Sequence, residues 1–74
     1  MYKAIVSYQN SKFILWQFTD KSYGVIDQSG GSNTIIKLYK YKASALKLFD
    51  KYVEQLEKRW ERNPTDEYPH LEYL

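Results

Sequence analysis

The sequence predicts an α+β domain, in which an antiparallel β-meander of three to four strands packs on one C-terminal amphipathic helix and a short irregular tail follows. Three observations carry that expectation. The first forty residues are rich in β-branched and aromatic side chains broken by turn-forming clusters, the apolar spacing changes to threes and fours from about residue 43, and Pro64 closes the helical stretch. With 74 residues the chain has room for one domain, assigned to 1–63, and a C-terminal acidic and aromatic tail, 64–74.

Strands are expected over residues 2–8, 13–19, 23–28 and 34–41. Between them lie Gln9-Asn10-Ser11-Lys12, Thr19-Asp20-Lys21-Ser22 and Ser29-Gly30-Gly31-Ser32-Asn33, each short enough to be a hairpin connection. Centring the first turn on Asn10-Ser11 sets Tyr8 opposite Phe13, Val6 opposite Leu15 and Ile5 opposite Trp16, and residues opposite each other share a face. Turning the third hairpin around Gly31 sets Ile26 opposite Ile36 and Gly24 beside Leu38. If Trp16 lies beside Ile26, one face collects Ile5, Ile14, Trp16, Phe18, Ile26, Ile36 and Leu38, and the other Tyr2, Tyr8, Phe13, Leu15, Tyr23, Lys37 and Tyr39. The first face is the more uniformly apolar and is expected to meet the helix, which leaves the tyrosine face open. A one-residue slip in the middle pair would exchange the faces of a whole hairpin.

A helix is expected over 43–62. Ala45, Phe49, Tyr52, Val53, Leu56 and Trp60 recur at spacings of three and four, Leu46 widens the stripe, and Lys47, Asp50, Lys51, Glu54, Glu57, Lys58 and Glu61 fill the other side. Ser44 reads as the N-cap, Lys47 with Asp50 and Glu54 with Lys58 read as ion pairs, and Pro64 forces Asn63 out of the helical region. The tail has no period but places Tyr68, Leu71, Tyr73 and Leu74 among Asp66, Glu67 and Glu72.

Composition then narrows the function. Without cysteine there is neither a disulfide framework nor a thiolate metal site. Residues 1–59 carry ten basic and five acidic side chains, net +5, whereas 60–74 carry one and four, net −3, so the two parts attract. The start of the chain reads as a strand rather than a secretory leader, and nowhere do 18 apolar residues run together, so the expected location is the cytoplasm and no membrane partner is expected. Eight tyrosines are more than a core this small can satisfy, which places several at the surface. The basic residues are nine lysines against Arg59 and Arg62 alone, and that ratio weighs against base reading by the bidentate arginine fork.

Catalytic chemistry finds little support. His70 has no second histidine or cysteine at ligand spacing, and Asp20 and Asp27 sit at turns where Asp bonds its own backbone. A phosphate cradle needs a glycine turn that opens a helix, but Ser29-Gly30-Gly31-Ser32-Asn33 precedes a strand and reads as a hairpin turn. Asp50 and Glu54 share a helix face with Lys47, Lys51 and Lys58, which marks it as solvated. The chain is therefore expected to be non-enzymatic, with no catalytic residue, cofactor, metal or small-molecule substrate.

The leading expectation is a small protein-binding or inhibitor protein acting on a protein or nucleoprotein target. Its use of Lys, Tyr, Ile and Asn suits an AT-rich genome, and its size and two sticky surfaces suit a phage or mobile-element product directed at host defence or nucleic-acid machinery, such as a CRISPR effector or nuclease. The expected contact residues are Tyr2, Tyr8, Phe13, Tyr23, Lys37, Tyr39, Tyr68 and Tyr73, with Tyr8 and Tyr39 as hot spots and Trp16 and Trp60 in the core. The alternative is DNA binding: a three-stranded sheet backed by one helix resembles the layout of AP2-type and integrase arm-binding domains, with Lys3, Lys12, Lys21, Lys37, Lys40 and Lys42 on phosphates. Under either reading the second apolar face must be covered, by residues 64–74 or by a second copy in a homodimer.

Overall fold

The computed structural model describes residues 2–64 and 67–74; Met1, Thr65 and Asp66 lie outside the described residues, and with them one of the acidic charges assigned to the tail. A two-residue turn at Gln9-Asn10, with Gln9 in the left-handed region at φ 53°, joins β1 (Lys3–Tyr8) to β2 (Ser11–Gln17). A hairpin through Thr19–Ser22 leads to β3 (Tyr23–Asp27), and a single 3-10 turn, Ser29–Gly31, to β4 (Thr34–Tyr39). In that turn Gly30 and Gly31 take φ values of 72° and 88°, the conformation for which the sequence supplies glycine. Helix α1 (Lys42–Arg62) and β5 (His70–Tyr73) complete an antiparallel sheet of order β4-β3-β2-β1-β5. The fold is thus α+β with the meander and helix expected, and the tail contributes a fifth strand.

Register differs from the expected pairing by two residues in both early hairpins. The shorter first turn pairs Tyr8 with Ser11, Val6 with Phe13, Ile5 with Ile14 and Lys3 with Trp16, while Ile14 meets Ile26 and Trp16 meets Gly24. Because strand side chains alternate with period two, a shift of two changes partners and leaves every residue on the face assigned to it. The third hairpin pairs Tyr23 with Tyr39, Gly24 with Leu38 and Val25 with Lys37 as expected, then a bulge sets Ile26 opposite Ile35 instead of Ile36.

The assignment of faces to the helix is reversed. Ala4, Val6, Leu15 and Val25 are wholly buried against Ala45 and Phe49 of α1, with Leu56 and Tyr8 beside them, so the helix covers the tyrosine face. Phe13 stacks on Tyr52 at 4.4 Å between ring centroids, and Tyr2, Tyr23 and Tyr39 pack around the same cluster. Arg59 closes one end of this layer: Nη1 donates to Ser11 Oγ at 2.8 Å, Nη2 to Gln9 Oε1 at 3.1 Å, and the guanidinium lies 5.4 Å from the Tyr8 ring centroid.

The helix keeps its expected stripe, with Ala45, Phe49 and Leu56 buried, but begins earlier than expected. Tyr41 is its N-cap and makes no side-chain cap bond, while Ser44 lies inside the first turn. Asn63 leaves the helix at φ −143°, as Pro64 requires. Among the described residues Lys58 meets Glu54 at 3.9 Å, whereas Lys47 and Asp50 form no ion pair.

The tail does not lie across the second face. Its strand pairs beside β1, with Ser7 against His70, Val6 against Leu71, Ile5 against Glu72 and Ala4 against Tyr73, and the Leu74 amide donates to the Lys3 carbonyl at 2.7 Å. Tyr68 anchors the approach, edge-on to Trp60 at 4.9 Å and donating its hydroxyl to the Glu57 carboxylate. Among the described residues no helix is long and apolar enough to cross a membrane.

Candidate functional site

With the helix on the tyrosine side, the sheet presents the opposite face, and strand register dictates what stands on it. Ile5 comes from β1, Ile14 and Trp16 from β2, Gly24 and Ile26 from β3, and Ile35 and Leu38 from β4. Ile14 is buried by its neighbours and Ile26 and Trp16 are half-buried, while Ile35 and Leu38 are 52% and 57% exposed. The bulge after Val25 gives β4 this composition: by shifting the pairing one place it brings both Ile35 and Leu38 to the open side, three positions apart.

Phe18 gives the face its relief. It follows β2, where its amide donates to the Ser22 carbonyl at 2.8 Å, and its ring lies over Gly24. Two hollows flank it, one of about 320 Å³ reaching Ile14, Trp16, Ile26 and Ile35, the other of about 360 Å³ reaching Leu38 and the Thr19–Ser22 turn. Phe18 and Ile35 line both. At the rim Lys3 holds its ammonium 5.3 Å from the centroid of the Trp16 ring, and Gln28 Nε2 donates to Asn33 Oδ1 at 2.8 Å.

The turn beside the second hollow is held by Asp20, whose carboxylate accepts the Ser22 hydroxyl at 2.6 Å and the Ser22 amide at 3.0 Å. These bonds, the hydroxyl's foremost, hold the Asp20 carboxyl below its ordinary value. They also stabilise a turn in which Lys21 adopts φ 70°. On the far side of the molecule the Tyr68 phenol is pushed up because its proton is held by Glu57. Burial, then the neighbouring Tyr73 phenol and Asp50 carboxylate, raise Tyr2.

The residues expected to make contacts are dispersed. Tyr8 is 5% exposed under Arg59, Phe13 is stacked on Tyr52, and Tyr2, Tyr23 and Tyr39 are part of the helix–sheet layer. Lys37 pairs with Val25 on the helix-side parity at the sheet edge, and Tyr68 and Tyr73 are exposed on the tail. Trp16, expected in the core, is half-buried on the open face; Trp60 does pack against the core. Of the lysines expected to meet phosphates, Lys3 and Lys12 lie on the open face by register, while Lys21, Lys40 and Lys42 sit at the hairpin turn and the β4–α1 corner.

Ile35 and Gly24 were not among the residues expected to shape a working surface. The glycine was readable, since one inside a strand marks a bulge or a close approach; the bulge partner was not, because Ile35 and Ile36 are identical in sequence. Among the described residues no group of three or more His, Cys, Asp or Glu is gathered as a metal site, and His70 stands on β5 with Glu72 at 3.5 Å. No protein-family model, curated protein or solved structure matches this chain.

Proposed function

We propose that this chain is a small non-enzymatic protein-binding module whose working surface is the sheet face that α1 leaves uncovered. One observation supports it above the others: Ile5, Trp16, Phe18, Ile26, Ile35 and Leu38 form a contiguous apolar surface across four strands, and neither helix nor tail lies over it. Apolar surface of that extent favours occupation. Trp16 and Phe18, next to hollows that admit a partner's side chains, have the make-up of binding hot spots, and Lys3 with Gln28 and Asn33 supply a polar rim. A module of this kind acts by occupying a surface, which suits an inhibitor as well as an adaptor. Duplex reading by the sheet is the weaker proposal, because Lys3 and Lys12 are the lysines that register places among these hydrocarbons.

The test compares the parent with Trp16→Ala and with an Ile35→Ser/Leu38→Ser double variant, each checked for folding by circular dichroism. The expected result is a partner retained from lysate by the parent and lost from both variants, with Tyr68→Phe retaining it. If the folded face variants keep the same partner, the sheet face is not the working surface. Sedimentation equilibrium on the same proteins identifies a second copy as occupant if the parent dimerises and the variants do not.

A further inference from the structure

A second surface lies where β4 runs into α1 and borders the apolar face, since Asp20, Ser22 and Leu38 line both its larger groove and the hollow beside Phe18. Tyr39 stands there between two grooves. One, of about 520 Å³, passes Lys21, Lys40 and Tyr41; the other, of about 290 Å³, passes Lys47 and Lys51. Tyr41 is 65% exposed, with the Lys40 ammonium 5.7 Å from its ring centroid, and Lys37 holds its own ammonium 5.3 Å from the Tyr39 ring. The cations here lean on aromatic faces, and among the described residues the ion pairs of the molecule lie elsewhere, at Lys58–Glu54 and His70–Glu72.

Charge is concentrated at the same place. Lys21, Lys37, Lys40, Lys42, Lys47 and Lys51 have Asp20, Asp50 and Glu54 as their nearby acids in sequence, a local balance of +3 in a chain whose total is +2, so the remainder of the molecule is net −1. A positive groove beside an exposed ring matches a phosphodiester backbone with an unstacked base: ammonium groups meet phosphates as point charges, and a tyrosine offers its face to any base. A duplex keeps its bases stacked on each other and leaves that face idle. An acidic peptide would use the lysines and have no need of the ring.

We propose that this corner binds single-stranded nucleic acid without sequence preference, Lys21, Lys40, Lys47 and Lys51 contacting phosphates and Tyr41 stacking on a base. These contact residues are distinct from those of the neighbouring sheet face, so the two adjoining surfaces together would suit a nucleoprotein target.

Fluorescence anisotropy with a labelled oligothymidylate of about twelve nucleotides tests the proposal. Four phosphate contacts give a log–log salt slope of about −3, which weakens binding about 50-fold between about 50 and 200 mM salt. Lys40→Glu/Lys47→Glu should weaken binding at least about tenfold. Tyr41→Ala should weaken it at least about fivefold while keeping the salt slope, and Lys58→Glu near the far end of the helix should change nothing. All these side chains are exposed, and circular dichroism confirms that the variants fold. The proposal fails if the oligonucleotide does not bind at low salt, if Tyr41→Ala binds like the parent, if polyglutamate competes as well as oligothymidylate, or if duplex DNA binds as tightly.

Discussion

Phe18 lies across the bare backbone of Gly24, so close that a Cβ placed on the glycine would stand 2.7 Å from the ring's Cε2 atom and 3.3 Å from Leu38 Cδ2. No side chain fits there unless the ring moves. The relief of the open face, a ridge at Phe18 between two hollows, therefore depends on a missing side chain in the middle of β3.

Gly24→Ala should force the ring aside and cost about 1–3 kcal/mol, a fall of several degrees or more in melting temperature for a domain of this size. In a Phe18→Ala background most of that cost should vanish. A double-mutant cycle by denaturant unfolding measures the coupling, and strictly additive costs would contradict the contact.

The two faces should differ in what they contribute to stability. Phe13→Ala removes a ring stacked on Tyr52 in the helix–sheet layer and should cost about 3 kcal/mol, whereas Leu38→Ser, at 57% exposure, should cost less than about 1 kcal/mol. Urea midpoints of the two variants decide between the faces, and the opposite order would return α1 to the isoleucine side.

Ending the chain at Asn63 removes β5 and the Tyr68 anchor, leaving the outer edge of β1 without its partner. An unpaired edge invites pairing with another chain, so the truncated protein should melt lower and associate as its concentration rises. Identical melting and sedimentation would mean that β5 adds nothing to the sheet.

The bond from Tyr68 to Glu57 also sets a pH dependence. Donation to the carboxylate raises the folded phenol above its ordinary value, so its contribution is complete below the unfolded pKa near about 10 and disappears as pH rises through the folded value. Parent and Tyr68→Phe should differ in melting temperature at pH 8, and the difference should close above about pH 10. Since both proteins share every other tyrosine, a difference constant through that range would place the effect elsewhere.

Much of the fold was legible in local pattern. Turn clusters, β-branched runs and the switch to a helical period located four strands and a helix, and the residues of the candidate site were already grouped: Ile5, Ile14, Trp16, Phe18, Ile26 and Leu38 share a face in the alternation and in the structure. Two details escaped it. The bulge that brings Ile35 to that face in place of Ile36 is a choice between identical neighbours, settled by the pairing across to β3. Strand β5 escaped because it is only four residues long: Leu71 and Tyr73 alternate with His70 and Glu72, but so short a run is no signal by itself, and its partner β1 lies more than sixty residues away in sequence.

Which face the helix would cover was never present in the alternation, because both faces are apolar and period two treats them alike. The missing strand decides it. With each neighbouring pair antiparallel in the order β4-β3-β2-β1-β5, β4 and β5 run parallel, and α1 becomes the crossover between two parallel strands of one sheet. Such crossovers are right-handed in almost every case, since a right-twisted strand leads its helix back onto the sheet from one side only. The sequence by itself determined four strands and the helix and sorted their side chains into two faces; the tertiary structure, by pairing residues 70–73 with β1, decided that the tyrosines are covered and the isoleucines, Trp16 and Phe18 are presented.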